Sequence, residues 1–350
     1  MPDRPPIDFL AHPEADARLR GHLGAATEAE LLDAIEADFF YLPGRDISQN
    51  EGFLPCYRGK PLRETESERV CPLGIRWTRG AGAAKFAVDE VLEGPLEKAS
   101  SPADVLNHPW PRASAFDFSP LRAEAEAHSG RVRIGGLWSG IFGDSYRMVG
   151  FQNFLLYMAL RPEIIKTLID RMTDLYLELN ERCFTQLAGE LDVWFFGNDF
   201  GSQGGLLFGL DMWRDFFFDN LRKMTDLAHS HGLRVMMHSC GSIRPLIPHL
   251  AEAGVDIIDP VQVAAGDMAL EDLKRDSAGR MVLHGGIDTQ HVLPMGSPEE
   301  VEAHVCETIR ILGRDGGYIT APSQLLQPDV PVENMAAMYR AAQSVEAPNT

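Results

Sequence analysis

Cysteine is scarce in this chain. Cys56, Cys71, Cys183, Cys240 and Cys306 are the only five in 350 residues, and no Cys-x-x-Cys pair occurs. An odd number at irregular spacing excludes a disulfide framework, so the thiols read as reduced. Basic residues are also in deficit. The 32 Lys and Arg stand against 51 Asp and Glu, a formal net charge of -19. A surface of that sign repels phosphate backbones and anionic lipid, so neither nucleic acid nor a membrane is expected as a partner. Long apolar runs are missing: the best candidate, around Phe154–Leu160, is broken by Arg161 and Pro162. The opening Met1-Pro2-Asp3-Arg4-Pro5-Pro6 lacks the apolar stretch of a secretory signal. A cytoplasmic protein is expected. There is no internal repeat and no low-complexity segment.

What is present is an alternation. From about residue 130, short apolar strands are followed by longer helical patterns. Strands are expected at Val132–Trp138, Leu191–Phe196, Leu233–His238, Val255–Asp259, Met281–His284 and Gly317–Thr320. Between them lie helical stretches through Ile164–Leu179, Trp213–Ala228, Ile243–Ala253, Val301–Leu312 and Asn334–Ala342, with Ser297 and Glu300 forming a capping box. Strand–helix repeats with short connections imply a parallel sheet. No Gly-x-Gly-x-x-Gly follows the first strand, and polar residues follow many strands, so a (β/α)8 TIM barrel is favoured over an open doubly wound sheet. Residues 111–350 are assigned to that barrel. Residues 1–110 read as an α+β extension packed on it, with a helix over Thr27–Phe39 and a hairpin of Gly74–Trp77 with Lys85–Val88.

Such a barrel gathers Trp138, Asp199, His238, Cys240, Asp259, Asp288 and Gln324 around one mouth. The sharpest feature is His238-Ser239-Cys240-Gly241. Residues two apart on a strand share a face, so an imidazole and a sulfur converge at a strand end. Both are good zinc ligands, though two ligands do not make a site. Asp199, His284, Asp288 and the loop after Thr320 are candidates for a third. Asp199, in Gly197-Asn198-Asp199-Phe200-Gly201, could also serve as a general base or merely cap a turn. His284 and Asp288 flank Gly285-Gly286, which permits close approach of a ligand. Trp138 is the best pocket aromatic, and Trp194, Phe195 and Phe196 read as core.

These segments resemble the uroporphyrinogen decarboxylase-like superfamily. The resemblance is carried by His238–Ile243, Val255–Gln262, Leu283–Asp288, Gly197–Gln203 and Pro328–Asn334, and it spans about residues 100–345. True uroporphyrinogen decarboxylases carry an Arg-Gln-Ala-Gly-Arg type motif that grips propionates, and no equivalent is present. The resemblance therefore implies the corrinoid-dependent methyltransferase branch. It implies zinc on His238 and Cys240, and methyl transfer to or from cobalamin or another corrinoid, free or held by a carrier protein. The family's later ligand position falls on Gln324, a poor zinc ligand. That leaves Asp199 or His284 to complete the set, or a weak or metal-free site. The expected assignments are Asp199 and His238 as catalytic residues and His238, Cys240 and His284 as metal ligands. Trp138, Asn198, Asp288 and Gln324 are expected to contact substrate. The alternatives are a metal-free decarboxylase or lyase built on Asp199, and a non-catalytic corrinoid or tetrapyrrole binder. Oligomeric state is open, a homodimer being one option.

Overall fold

The computed structural model describes residues 4–42, 56–78, 90–277 and 279–345. Its centre is a parallel sheet of seven strands in chain order. They are β1 (Phe39–Tyr41), β2 (Val132–Gly135), β3 (Val193–Gly197), β4 (Arg234–His238), β5 (Ile257–Val261), β6 (Val282–Ile287) and β7 (Tyr318–Pro322). Alternation along β3 explains the layering. Val193 and Phe195 point into one small apolar cluster, whereas Trp194 and Phe196 stack on each other toward the helices. The inner cluster joins Phe39 of β1 to Ile319 of β7. The two edge strands share one core, so the sheet is curled.

Strand pairing does not close the curl. Between β7 and β1 lies the segment Pro6–Asp8, which makes a single parallel bridge, Ile7 to Thr320. Asp8 N–H donates to the Thr320 carbonyl at 2.9 Å, Thr320 N–H to the Pro6 carbonyl at 2.8 Å, and Asp38 N–H to the Ile7 carbonyl at 2.8 Å. Pro5 and Pro6 have no N–H and cannot extend this contact into a strand. The expected closed eight-stranded barrel is thus met by an open half-barrel of seven strands with a one-residue bridge in its gap.

The six expected strands all appear, shifted by a few residues at their ends. The 25-residue helix Pro162–Gln186 starts on a proline, whose missing N–H is harmless at a first turn. The Ser297–Glu300 capping box opens the helix Pro298–Leu312. The stretch Thr27–Phe39 is a correction. The helix there stops at Ala34, Glu36 takes φ 52°, and Phe39–Tyr41 becomes β1. A short apolar run fits either state, and pairing with β2 decides it. The extension therefore supplies a strand of the main sheet. It also carries a three-stranded antiparallel sheet of Glu68–Val70, Arg76–Thr78 and Val91–Glu93. The expected strand at Lys85–Val88 lies outside the described residues. Among the described residues no helix is long and apolar enough to cross a membrane.

Candidate functional site

The chain leaves β3 through Asn198-Asp199 and leaves β4 through Ser239-Cys240, and these two exits are neighbours because β3 pairs with β4. β4 stops at His238, so the pleat alone does not aim Cys240. The loop is aimed by hydrogen bonds to three successive N–H groups. Ser239 N–H donates to the Asp259 carbonyl at 2.7 Å, Cys240 N–H to Asp199 Oδ1 at 3.1 Å, and Gly241 N–H to Gln262 Oε1 at 2.7 Å. Gly241 has φ +90°, and a Cβ there would lie 2.7 Å from the Ser202 carbonyl oxygen. A glycine is what allows the loop after Asp199 to seat against the loop bearing Cys240.

The result is a cluster. One donor atom each from Asp199, His238 and Cys240 lies within 4.8 Å of the other two. His238 Nε2 is 3.5 Å from Asp199 Oδ1, and its other nitrogen, Nδ1, meets Asp259 Oδ2 at 2.5 Å. The side chains differ in access: that of His238 is 14% exposed and that of Asp199 is 55% exposed. A nitrogen, a sulfur and a carboxylate oxygen at such range are a donor set suited to zinc.

Sharing His238 with the cluster is a cavity of about 250 Å³ lined also by Trp138, Phe195, Asp259, His284, Gln324 and Asp8. Two larger cavities, about 410 and 550 Å³, hold neither His238 nor Cys240. Trp138 reaches the cavity because β3 ends in glycine: a Cβ on Gly197 would fall 1.9 Å from the indole. The indole sits 5.3 Å from the Phe195 ring and 5.5 Å from the His238 ring.

Charge in the cavity wall is paired. Burial alone would lower the His238 pKa, but the charge and hydrogen bond of Asp259 outweigh it and hold the imidazole well above its ordinary range. For His284, burial is likewise outweighed by Asp259 and Asp8, which push it up to about 9. Asp259 itself is held below the usual carboxylate range, since the two imidazoles overcome the effect of its burial.

The predicted site residues meet different fates. Trp138, His238 and Gln324 line the cavity. Asp199 and Cys240 cluster with His238. His284, expected as a ligand, is not part of that cluster. Its Nε2 is hydrogen-bonded to Asp8 Oδ2 at 2.7 Å, and its Nδ1 lies 2.7 Å from Asp259 Oδ1 as an ion pair without hydrogen-bond geometry. Asp199 is the third member of that cluster. Asn198 is buried, and its Oδ1 accepts the Phe142 N–H at 2.8 Å, in the first turn of the helix Ile141–Val149; it does not line the cavity. Asp288 caps the turn after β6, accepting from Gln290 N–H at 2.7 Å and His291 N–H at 3.1 Å. Sequence reasoning missed Asp8 and Tyr41, whose hydroxyl donates to Asp8 Oδ2 at 2.5 Å. They sit far up the chain with no local motif. Asp259 was placed at the mouth but given no role.

The family described as Uroporphyrinogen decarboxylase (URO-D) matches residues 119–345. The chain belongs to the uroporphyrinogen decarboxylase family. Among solved structures, a methyltransferase from Methanosarcina mazei is similar over 97% of this chain and 94% of its own, with TM-score 0.64 and 18% identity. A ribulose-1,5-bisphosphate carboxylase/oxygenase from Pyrococcus horikoshii OT3 gives TM-score 0.38 and 15% identity over 98% of this chain and 58% of its own. A D-psicose 3-epimerase from Clostridium cellulolyticum H10 gives TM-score 0.38 and 11% identity over 69% and 84%. At these identities the likeness is one of fold, and the two lower scores support nothing further. No curated protein matches the chain in sequence.

Proposed function

We propose that this chain is a zinc-assisted methyltransferase of the corrinoid-dependent kind, acting on a small methylated compound. Its sheet would work as a (β/α)8 barrel with the mouth at the strand ends. The observation that carries this reading is the convergence of Asp199, His238 and Cys240 within 4.8 Å beside a cavity of about 250 Å³. The fold likeness to the Methanosarcina mazei methyltransferase agrees with it.

Asp199 Oδ1, His238 Nε2 and Cys240 Sγ would hold the metal. When bound, zinc supplies Lewis acidity and keeps a sulfur as thiolate at neutral pH. The rest is the work of the chain. Asp259 keeps the His238 ring turned, because its Oδ2 accepts from Nδ1. Trp138 and Phe195 form a dry wall on one side of the donors, which excludes water and accepts an apolar substrate body. Gln324 offers the cavity a neutral amide, a donor and acceptor for orienting a substrate. The exposed carboxylate of Asp199 leaves the donor cluster reachable by a large partner such as a corrinoid, free or on a carrier protein. The free cysteines and acidic surface suit a reducing cytoplasm.

The test is metal analysis of freshly purified protein together with a cobalamin titration. We expect one zinc per chain, lost in His238→Ala and in Cys240→Ala, and a change in the corrinoid spectrum when a methyl donor is added. Protein without stoichiometric metal whose activity survives chelators and Cys240→Ser but not Asp199→Asn would replace this reading with a metal-free lyase.

A further inference from the structure

Behind His238 stands a chain of partners. Asp259 offers Oδ2 to His238 Nδ1 at 2.5 Å and Oδ1 to His284 Nδ1 at 2.7 Å. The far nitrogen of His284, Nε2, meets Asp8 Oδ2 at 2.7 Å. Asp8 Oδ2 also accepts from the Tyr41 hydroxyl, and Asp8 Oδ1 accepts from Phe9 N–H at 2.8 Å. The chain runs across the interior of the half-barrel from β4 through β5 and β6 to the Pro6–Asp8 segment and β1. Asp259 is 8% exposed, His284 4% and Asp8 1%.

An ionised carboxylate can only accept, so an imidazole nitrogen that bonds one must carry a hydrogen. His284 bonds Asp8 through Nε2, its Nδ1 is buried 2.7 Å from Asp259 Oδ1, and it is not part of the donor cluster. His238 faces Asp259 at Nδ1, so that nitrogen keeps its hydrogen. The lone pair available to a metal is then on Nε2, the nitrogen 3.5 Å from Asp199 Oδ1. His284 in turn keeps Asp259 from being an unmatched charge in a buried place, and Asp8 does the same for His284.

We infer that Asp259 is the positioning residue of the donor cluster, and that His284 and Asp8 act through it. Asp259 fixes the orientation of the His238 ring and the nitrogen that it presents. The inference rests on the metal reading above. It makes the first strand-like segment of the chain part of a site formed by loops near its middle.

The test uses the full chain, with Co²⁺ alone as the probe, read by its visible absorption and by chelator competition. Asp259→Asn should weaken Co²⁺ binding by roughly 10–100-fold and alter the visible band, the range usual for outer partners of a metal ligand. Asp8→Asn should weaken it less and in the same direction, and it decides the matter if Asp259→Asn does not fold. A readout without metal is the far-downfield proton signal of the His238 Nδ1–H. It is expected in the wild type and expected to vanish in Asp259→Asn and in His238→Ala. Unchanged Co²⁺ affinity and spectrum in folded Asp259→Asn or Asp8→Asn would overturn the positioning role and leave the metal reading intact. No His238-dependent Co²⁺ binding in the wild type would overturn the metal reading. Absence of the downfield signal from the wild type would remove the geometry that the inference needs.

Discussion

His238 and His284 make an instructive pair. Each lies in a strand of the same sheet, each faces the same cavity, and each is ion-paired with Asp259. One is at the rim with a nitrogen 3.5 Å from Asp199, and the other is in the wall with a carboxylate oxygen 2.7 Å from each nitrogen. Residue type and strand position are alike in the two cases. What differs is the surroundings, because His284 is enclosed by two buried carboxylates whereas His238 reaches the donor cluster. The rim and the wall should therefore respond to substitution in opposite currencies, metal for His238 and stability for His284.

The largest effect that could break this contrast is His284→Ala. It leaves Asp8 and Asp259 buried without the cation between them, and removing one partner of a buried charge pair typically costs about 3–5 kcal/mol. Urea denaturation should show that loss, whereas His238→Ala should lose metal with a smaller change in midpoint. A stability loss as large in His238→Ala as in His284→Ala would erase the distinction.

pH sharpens the same comparison. His284 is raised from 6.5 to about 9 by its carboxylate partners. A group raised on folding stabilises fully below its unfolded value, and that contribution is lost as pH climbs through the folded one. Stability should therefore fall between about pH 6.5 and about pH 9 by something on the order of 1–3 kcal/mol. His284→Gln should flatten this slope in denaturation midpoints measured across the range.

Gly241→Ala probes the rim alone. The residue holds φ +90° and has no room for a Cβ beside the Ser202 carbonyl. Backbone strain of this kind costs about 1–3 kcal/mol. The expected result is a lower melting temperature together with weaker Co²⁺ binding, since Cys240 is the adjacent residue. The smallest effect belongs to Gln324→Ala. Gln324 lines the cavity but is not part of the donor cluster, so metal content should not change and stability should move by about 0.5 kcal/mol or less. A rise in KM without loss of zinc would assign it to substrate.

Much of the architecture was legible in local pattern. The strands through Val193–Gly197, Arg234–His238 and Ile257–Val261 are bounded apolar runs, and Ser297 with Glu300 announces a helix start. The strand Phe39–Tyr41 was not legible, because three aromatic residues after a helix fit a continued helix as well as a new strand. At the site, His238 and Cys240 were visible from their spacing and from the strand that ends between them. Asp199 stood among several candidates, and nothing local ranked it above His284. Asp288 and Asn198 looked like mouth residues, and their hydrogen bonds hold a turn and a helix start, since an Asp or Asn after a strand serves either purpose equally well.

By itself, then, the sequence determined the alternation of strands and helices, the family, and the imidazole and sulfur at one strand exit. These follow from side-chain periodicity and short-range spacing, which the chain carries locally. Only the tertiary structure decided that Asp199 rather than His284 completes the donor cluster. That outcome depends on Asp8, near the start of the chain, reaching the far nitrogen of His284, and on Asp259 dividing its two oxygens between two imidazoles. Contacts between segments so distant in sequence arise when the sheet curls and brings its edges together, and no local pattern encodes them.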